Sequence, residues 1–289
     1  MGSDACALQR ASRFTKTFER LKESNGKAFM PYVLLGYPDR LNCLSTVKTM
    51  IDAGASALEL GIAFSDPMAD GPIITQCARE TIESGFGTED ALALVGEIRV
   101  MAPEMPITLL VYFNTVLAQG IEGFYRRAKE AGVDAVLIAD MSLESSYLVA
   151  GIAREQGVLN ITLASPMSGP ERLARIAKCA EGFVYVVSRL GITGVDESFD
   201  SALEETIATL KSSTVVPLIV GFGISSPEQG RKMIALGADG VITGSRILQL
   251  QGAGAAAPRS SSEICHSDEI RETAAIADFA RSMVKAVNC

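Results

Sequence analysis

Three carboxylates lie close together in residues 57–76, which read ALELGIAFSDPMADGPIITQ. Glu59 stands inside an apolar segment with the alternation of a strand, and Asp66 and Asp70 follow it among prolines and glycines. Burying an unpaired carboxylate is costly, so stability alone does not explain Glu59 in such a strand. Carboxylates gathered at a strand end are groups that general acid–base catalysis uses. The stretch therefore predicts an active site that moves protons.

Two of these carboxylates also have structural interpretations. Glu59 could pair with a buried lysine or arginine, although its place near a strand end favours catalysis. Asp66 lies in a Ser-Asp-Pro sequence, a common turn builder in which the aspartate bonds its own backbone. From the sequence, Asp66 stays open between a turn residue and a catalytic residue.

Other groups that could transfer protons are scarce. The only histidine is His266, and the six cysteines are scattered without CxxC spacing. Because no histidine cluster can form, we expect no metal site. Proton transfer must then use carboxylates, tyrosines or lysines. Tyr112 and Tyr185 belong to apolar strand patterns and could either donate a hydroxyl to a substrate or fill the core.

Length and charge narrow the classes of protein to which the chain can belong. Its 289 residues, 48% of them hydrophobic, fit two domains or one large α/β barrel. Acidic residues outnumber basic ones by 34 to 26 and no dense basic run occurs, so nucleic acid and anionic membranes are poor partners. No apolar run reaches the roughly 18 residues of a membrane span, and the N-terminus has no signal-peptide core. We expect a cytoplasmic protein.

A repeated order of helix, glycine and strand predicts the fold. Five times a helical pattern ends at a glycine that leads within one to three residues into an apolar strand: Gly54, Gly132, Gly157, Gly182 and Gly237. Glycine can adopt the left-handed conformation that ends a helix, so each of these marks a return to the sheet. Together with AFMPYVLL, PITLLVYF and VPLIVGFG, these units give eight candidate strands.

Eight strands alternating with helices indicate an α/β fold, a (β/α)8 TIM barrel, with an extra N-terminal helix over residues 10–24 that could plug one end. Other helices are expected around residues 44–53, 88–101, 116–131, 143–155, 169–179, 202–211 and 226–236. A doubly wound open sheet is the alternative, but it would need GxGxxG after the first strand, and the turn GYPDR has none. We interpret residues 1–289 as one domain, with a flexible connection at 252–267 before a last helix around 270–287.

Three strands in the second half of the chain end in glycine-bearing loops. These loops read SRLGITG, GFGISS and TGSRI, after the sixth, seventh and eighth candidate strands. In such barrels the loops after the last two strands and the N-terminus of a short extra helix commonly bind phosphate through backbone N–H groups. Any one glycine could simply form a tight turn, but three on one rim favour a phosphate site.

These segments together resemble the tryptophan synthase alpha subunit family. ALELG, the pattern F-S-D-P-x-A-D-G-P and Gln76 are similar to the family signature, and the likeness continues through PYVLLGYPD, LLVYFN, VLIAD, YVVSRLGITG, GFGISSPEQ and TGS. The resemblance implies a lyase that splits indole-3-glycerol phosphate into indole and glyceraldehyde 3-phosphate. It also implies no cofactor in this chain, and a beta-subunit partner that uses pyridoxal phosphate (PLP) in an alpha2-beta2 complex.

The resemblance also implies roles for individual residues. Glu59 and Asp70 match the catalytic pair of the family. Positions that match its substrate site are Tyr32, Ile74, Leu110, Tyr112, Tyr185 and Phe222, and positions that match its phosphate site are Gly194, Gly223, Gly244 and Ser245. Residues 188–197 match a closing loop, and we expect Thr193 to act at the substrate site as its latch, because its hydroxyl could bond a carboxylate such as Asp70 only when the loop is shut. One position departs from the family, because Ala63 stands where a proline is usual.

The implied chemistry suits two carboxylates. Indole C3 must gain a proton and the side-chain hydroxyl must lose one, and Glu59 could do both in turn if burial keeps it partly protonated. Asp70 would accept a hydrogen bond from the indole N–H and balance the charge on the ring. Two alternatives stay open: a stand-alone lyase that releases indole without a beta subunit, and a non-catalytic assembly subunit, against which the intact pair of carboxylates argues.

Overall fold

The computed structural model describes residues 12–188, 197–252 and 266–289, and its centre is a ring of parallel strands. The strands are β1 (Ala28–Leu34), β2 (Leu58–Gly61), β3 (Ile107–Val111), β4 (Ala135–Ile138), β5 (Leu159–Asn160), β6 (Thr162–Ala164), β7 (Val184–Val187), β8 (Leu218–Gly221) and β9 (Gly240–Thr243). Their order in the sheet is β5-β4-β3-β2-β1-β9-β8-β7-β6. Each pairing along this order is parallel.

A break at Ile161 explains how nine strands make an eight-stranded barrel. β5 pairs with β4 and β6 pairs with β7, and the two are consecutive pieces of one segment, residues 159–164. The backbone N–H of Ile161 still donates to the Val136 carbonyl oxygen over 2.9 Å. This segment therefore joins the two ends of the sheet. The predicted (β/α)8 barrel is confirmed, with one of its strands interrupted by a single residue.

Helices connect the strands and cover the ring. They are α1 (Arg13–Glu23), α2 (Arg40–Asp52), α3 (Pro72–Glu83), α4 (Thr88–Met101), α5 (Phe113–Ala118), α6 (Ile121–Glu130), α7 (Tyr147–Glu155), α8 (Pro170–Cys179), α9 (Glu197–Ser213), α10 (Pro227–Ala235), α11 (Ser245–Leu250) and α12 (His266–Val287). No helix in the described ranges is both long enough and apolar enough to cross a membrane.

Three predictions about helices and connections differ from the structure. The sequence pattern assigns no helix to residues 72–83, yet α3 begins at Pro72. Proline is tolerated there because the first helical position needs no backbone N–H. The single helix expected at 116–131 is two helices, α5 and α6, separated by Gly120 at φ +71°. The connection expected at 252–267 ends earlier, since α12 begins at His266, and residues 253–265 lie outside the described part of the chain.

The glycines expected to end helices have the conformation that this role requires. The φ angle is +98° at Gly54, +93° at Gly132, +69° at Gly157, +65° at Gly182 and +101° at Gly237. A residue with a Cβ atom is disfavoured in this region of backbone space. Gly54, Gly132, Gly157 and Gly237 directly follow the caps of their helices, which confirms four of the five predicted helix ends. The helix before Gly182 instead ends at Cys179 with an extended cap at Ala180, and Gly182 lies in the connection to β7.

Alternate residues of β2 face opposite sides of the barrel wall. Leu58 and Leu60 belong to a buried cluster between the strands and the helices, which we call the outer cluster. Ala57 belongs instead to the cluster inside the barrel. Because side chains alternate along a strand, Glu59 and Gly61 face the interior with Ala57. The strand thus carries a carboxylate into an interior filled mainly with apolar and aromatic side chains.

Helix α1 plugs the amino end of the barrel. Phe14 is fully buried in the interior cluster, where its ring centroid lies 5.5 Å from that of Phe183, just before β7. Arg13 forms an ion pair with Asp134 over 2.7 Å, which ties the helix to the residue before β4. The extra N-terminal helix expected from the sequence therefore closes one end, and the carboxyl ends of the strands form the opposite rim.

Candidate active site

Glu59 is almost completely enclosed by the barrel. It is paired in the sheet register between Tyr32 of β1 and Thr108 of β3, and only 1% of its surface is exposed. Burial, and secondarily the negative charge of Asp70, raise the pKa of the Glu59 carboxyl to about 8. Its Oε1 atom has no hydrogen-bond partner among the described residues, so the alternative of a paired structural carboxylate finds no support at that atom. Near neutral pH this group can both hold and release a proton.

Asp70 lies on the loop between β2 and α3 and has a defined partner. The Tyr112 hydroxyl donates to Asp70 Oδ2 over 3.0 Å and accepts a hydrogen bond from the Ala69 backbone N–H, also over 3.0 Å. Burial raises the pKa of Asp70 to about 6, and the hydrogen bond from Tyr112 opposes this rise. The carboxyl group is therefore anchored and ionises more readily than Glu59.

The bond between Tyr112 and Asp70 was missed by the sequence analysis. Tyr112 is predicted there as part of a substrate pocket or of the core, whereas the structure makes it the hydrogen-bond donor to a candidate catalytic group. Its ring also stacks on Phe64, with ring centroids 5.0 Å apart. The signal was available, because Tyr112 ends the strand that follows the Asp70 loop, and consecutive strands in such a barrel are neighbours.

Two tyrosine hydroxyls lie over glycines at strand ends inside the barrel. A Cβ atom on Gly61 would come within 2.2 Å of the Tyr32 hydroxyl oxygen, and one on Gly221 within 2.0 Å of that of Tyr185. Burial first, and then the charges of Glu59 and Asp70, hold the pKa values of Tyr32 and Tyr185 well above the usual range. Both phenols therefore stay protonated and can donate hydrogen bonds beside the two carboxylates.

Apolar side chains complete this interior. Leu110 belongs to the interior cluster, and Ile74 of α3 and Phe222 pack against it. The ring of Phe222 meets that of Tyr185 edge to face, with centroids 5.6 Å apart. Phe222 itself has φ +65°, a conformation that is unusual for a residue with a large side chain. The structure thus brings these three predicted pocket residues to the same interior as Glu59.

Three of the four predicted phosphate residues, Gly223, Gly244 and Ser245, lie at the carboxyl ends of two neighbouring strands. Gly223, with φ +73°, follows β8, and Gly244 follows β9 as the N-cap of α11, whose first residue is Ser245. A Cβ atom on Gly244 would lie 2.9 Å from Tyr32 Cδ1, so the backbone there passes close to the tyrosine ring. Backbone N–H groups at such a turn favour an anion. Thr193 and Gly194 lie outside the described residues.

Asp66 belongs to a turn on the surface. It is exposed, the Ser65 hydroxyl donates to its Oδ2 atom over 2.5 Å, and the Met68 N–H donates to its carbonyl oxygen over 2.9 Å. These local bonds favour the structural interpretation that the sequence left open.

Within the described ranges, no group of three or more His, Cys, Asp or Glu side chains is arranged to hold a metal ion.

Comparisons with known proteins agree with this arrangement. The family model for the tryptophan synthase alpha chain matches residues 18–275. A relative described as tryptophan synthase alpha chain, from Shewanella oneidensis, is 38% identical over 273 residues, which cover 94% of this chain and 94% of the relative.

Two solved structures extend the comparison to the fold. The tryptophan synthase subunit alpha from Legionella pneumophila str. Paris has a TM-score of 0.80 and 30% identity, with 96% of this chain and 98% of that chain covered. Tryptophan synthase from M. tuberculosis, in an aminoacrylate-bound form, has a TM-score of 0.80 and 26% identity, with 96% and 100% covered. By its sequence and its fold, this chain belongs to the tryptophan synthase alpha chain family, the lyases that cleave indole-3-glycerol phosphate in tryptophan biosynthesis.

Proposed function

We propose that Glu59 and Asp70 carry out the cleavage of indole-3-glycerol phosphate into indole and glyceraldehyde 3-phosphate. The observation that carries this proposal is a pair of partly or fully buried carboxyl groups at one strand end, with pKa values raised to about 8 and about 6. Two carboxyl groups with separated pKa values can divide the tasks of acid and base. Between these values Glu59 holds a proton while Asp70 is ionised.

The reaction then proceeds in two proton transfers. Glu59 gives its proton to C3 of the indole ring, which places a positive charge on the ring nitrogen, and the Asp70 carboxylate accepts a hydrogen bond from that N–H. Glu59, now ionised, takes the proton from the hydroxyl on the adjoining carbon. The hydroxyl oxygen forms the aldehyde C=O, the bond from this carbon to C3 breaks, and its electrons return to the ring. Indole and glyceraldehyde 3-phosphate are formed, and Glu59 is again protonated.

The remaining predicted residues would hold the two ends of the substrate. Indole would lie against Tyr32, Ile74, Leu110, Tyr112 and Phe222, with the Tyr185 hydroxyl near the glycerol chain. The phosphate would be bound by Gly194, Gly223, Gly244 and Ser245. Support for this orientation comes from the exposed turn at Gly223 and the glycine N-cap of α11, which lie on neighbouring strands. Thr193 would help residues 188–197 close over the substrate.

The alpha subunit family implies a beta-subunit partner and no cofactor in the alpha chain itself. We extend this to an alpha2-beta2 complex in which PLP belongs to the beta subunit alone. Met68, on the loop that carries Asp70, is 81% exposed and offers an apolar side chain to such a partner. The relatives are named as alpha chains, and no observation favours a stand-alone lyase.

We also propose a cytoplasmic location, where the free thiols of Cys43 and Cys77 would stay reduced.

The test supplies indole-3-glycerol phosphate to the purified chain, alone and with a tryptophan synthase beta subunit, and measures both products by chromatography. We expect indole and glyceraldehyde 3-phosphate in equal amounts, with faster release when the beta subunit is present. A chain that forms neither product with the beta subunit present would refute the proposed function. Full activity without any response to the beta subunit would instead support the stand-alone alternative.

A further inference from the structure

Glu59 has a polar neighbour inside the barrel to which no role has been assigned. In the register of the sheet, Thr108 of β3 is paired directly with Glu59 of β2. The residues on either side of it, Ile107 and Leu109, belong to the outer cluster, so Thr108 faces the interior. Adjacent strands lie about 4.8 Å apart, and paired residues on them project to the same side. The side chains of Thr108 and Glu59 are therefore neighbours on the inner wall of the barrel, and no hydrogen bond joins Thr108 Oγ1 to the carboxyl in this structure.

Both groups are buried and incompletely bonded. Thr108 is 0% exposed, and its Oγ1 atom has no hydrogen-bond partner among the described residues. The same holds for Glu59 Oε1. Buried polar atoms without partners are rare in folded proteins, because each has lost its bonds to water. Thr108 Oγ1 and Glu59 Oε1 are two such atoms on paired residues inside the barrel, so we look for one explanation of both.

A hydroxyl can serve a carboxyl group in both of its protonation states. It donates a hydrogen bond to the carboxylate and accepts one from the protonated acid. A bond to the charged form is the stronger of the two, so a neighbouring hydroxyl favours ionisation. The other titratable groups of this interior are Asp70, Tyr32, Tyr37, Cys77, Tyr112 and Tyr185, and none of them brings a positive charge to Glu59. Besides the phenols of Tyr32 and Tyr185, Thr108 thus offers a hydroxyl that can ease the release of the proton, and it is the neighbour of Glu59 on β3.

We propose that Thr108 is a positioning residue whose hydroxyl hydrogen-bonds Glu59 when that carboxyl ionises, and so sets the pH at which the proton is released. This inference rests on the proposed function, in which Glu59 gives a proton to C3 and then acts as a base. Without the hydroxyl, the carboxylate inside the barrel would have lost its nearest donor on β3. Glu59 would then hold its proton to higher pH, and the second proton transfer would become slower.

The test measures the ionisation of Glu59 directly. The infrared C=O band of the protonated carboxyl is titrated in the whole chain and assigned by its disappearance in Glu59→Gln. We expect Thr108→Val to raise the pH of half-ionisation by about one unit, since the gain from bonding a charged group corresponds to a shift of that size. Thr108→Ser, which keeps the hydroxyl, should stay within a few tenths of a unit of the wild type. The alkaline limb of kcat/KM should move with the band in each variant.

A matched control is available on the other side of the barrel wall. Thr162 of β6 is also buried, with a hydroxyl that has no partner among the described residues, and it is paired with Val184, which packs outside the barrel. Thr162→Val makes the same chemical change without touching the interior. We expect it to leave both the infrared band and the pH profile of activity unmoved.

Several outcomes would overturn the proposal. The proposal is wrong if Thr108→Val leaves the pH of half-ionisation of Glu59 unchanged. It is also wrong if Thr162→Val or Thr108→Ser shifts that pH as much as Thr108→Val does. If Thr108→Val does not fold, Thr108→Ala removes the same hydroxyl without a bulky methyl pair and must give the same upward shift. The infrared titration needs no turnover. A chain that fails to cleave the substrate but shows the shift would refute the proposed function and keep the link between Thr108 and Glu59.

Discussion

At the scale of single residues, the two carboxyl groups differ in pKa because their surroundings differ. Glu59 is enclosed within the barrel and also feels the negative charge of Asp70. Asp70 is partly buried, but the hydrogen bond from Tyr112 stabilises its ionised form. The result is a range of pH in which one group is an acid and the other an anion. General acid–base chemistry near neutral pH requires such a division.

The pH dependence of kcat/KM should therefore be bell-shaped. Asp70 must be ionised, so activity falls as pH drops through about 6, and Glu59 must be protonated, so activity falls as pH rises through about 8. Because the two groups interact, the limbs report apparent values for the pair. Initial rates of indole release across the pH range check this. Activity that keeps rising well beyond the alkaline value would contradict the role of Glu59 as first proton donor.

Removal of the Tyr112 hydroxyl should move the acidic limb. In Tyr112→Phe the pKa of Asp70 loses the hydrogen bond that lowers it, so the limb should shift to higher pH by roughly half a unit to one unit. The measurement is kcat/KM against pH. Tyr125→Phe is the matched control, because its buried hydroxyl lies in the outer cluster and has no partner among the described residues. An unmoved limb in Tyr112→Phe, or an equal shift in Tyr125→Phe, would show that the bond to Asp70 does not set its ionisation.

At the scale of elements, the sequence predicts those features that depend on local chemistry. Gly54 and Gly237 could be assigned as helix ends because a left-handed residue there needs glycine, and the strands that follow were then evident. The start of α3 was missed because Gly71 followed by Pro72 is as typical of a turn as of a helix N-terminus. The break at Ile161 was also missed, since it arises from closing the ring between β4 and β7 and leaves no local signal.

The same limit applies to the candidate site. Glu59 could be selected from one strand, because a carboxylate among apolar residues is conspicuous by itself. Its neighbour Thr108 could not, because that relationship requires the register between β2 and β3. The order of the strands brings Tyr112 near the Asp70 loop, but the hydrogen bond itself depends on the path of that loop. Pairings across strands belong to tertiary structure and are not encoded in residue spacing along one element.

Gly221, at the end of β8, should be required for activity because it leaves room for the Tyr185 hydroxyl. In Gly221→Ala the new Cβ atom would lie 2.0 Å from the Tyr185 hydroxyl oxygen, so the phenol must move away. A displacement of this kind can lower kcat/KM by about 10²-fold. Steady-state kinetics on folded protein provide the measurement.

Gly151→Ala in α7 is the control for that substitution, because a Cβ atom there meets nothing within 4 Å. Alanine should stabilise this helix by about 0.5 to 1 kcal/mol and leave kcat/KM unchanged. Wild-type kinetics in Gly221→Ala would mean that the position of the Tyr185 hydroxyl does not matter to the reaction.

At the scale of the whole molecule, the two ends of the barrel have different tasks. The candidate site occupies the carboxyl ends of the strands, whereas Asp134 at the amino end holds several elements together. It pairs with Arg13 of α1 and with Arg99 of α4, each over 2.7 Å, and accepts a hydrogen bond from the Ile107 N–H over 2.9 Å. Arg99 in turn donates to the carbonyl oxygens of Ala102, Pro103, Met105 and Gly132. This end of the molecule stabilises the fold and is remote from the chemistry.

Asp134→Asn should therefore lower stability without changing the pH profile of activity. Breaking a buried ion pair by removing one partner leaves uncompensated charge, and we expect a loss of about 2 to 4 kcal/mol in the free energy of unfolding, since Arg13 is partly exposed. Urea denaturation measures it. Asp278→Asn, which breaks an exposed pair with Arg281, should cost less than about 1 kcal/mol. A shifted pH profile in Asp134→Asn would contradict the separation of the two ends.

The central claim is that Glu59 moves the proton between indole C3 and the glycerol hydroxyl. Its most direct test is the initial rate of indole release from saturating indole-3-glycerol phosphate at neutral pH, compared between wild type and Glu59→Gln with the beta subunit present. Glutamine keeps the shape but cannot transfer the proton, so the rate should fall by roughly 10² to 10⁴-fold while the affinity for glycerol phosphate, measured by calorimetry, stays the same. A folded Glu59→Gln protein that releases indole within a few-fold of the wild-type rate would contradict the account.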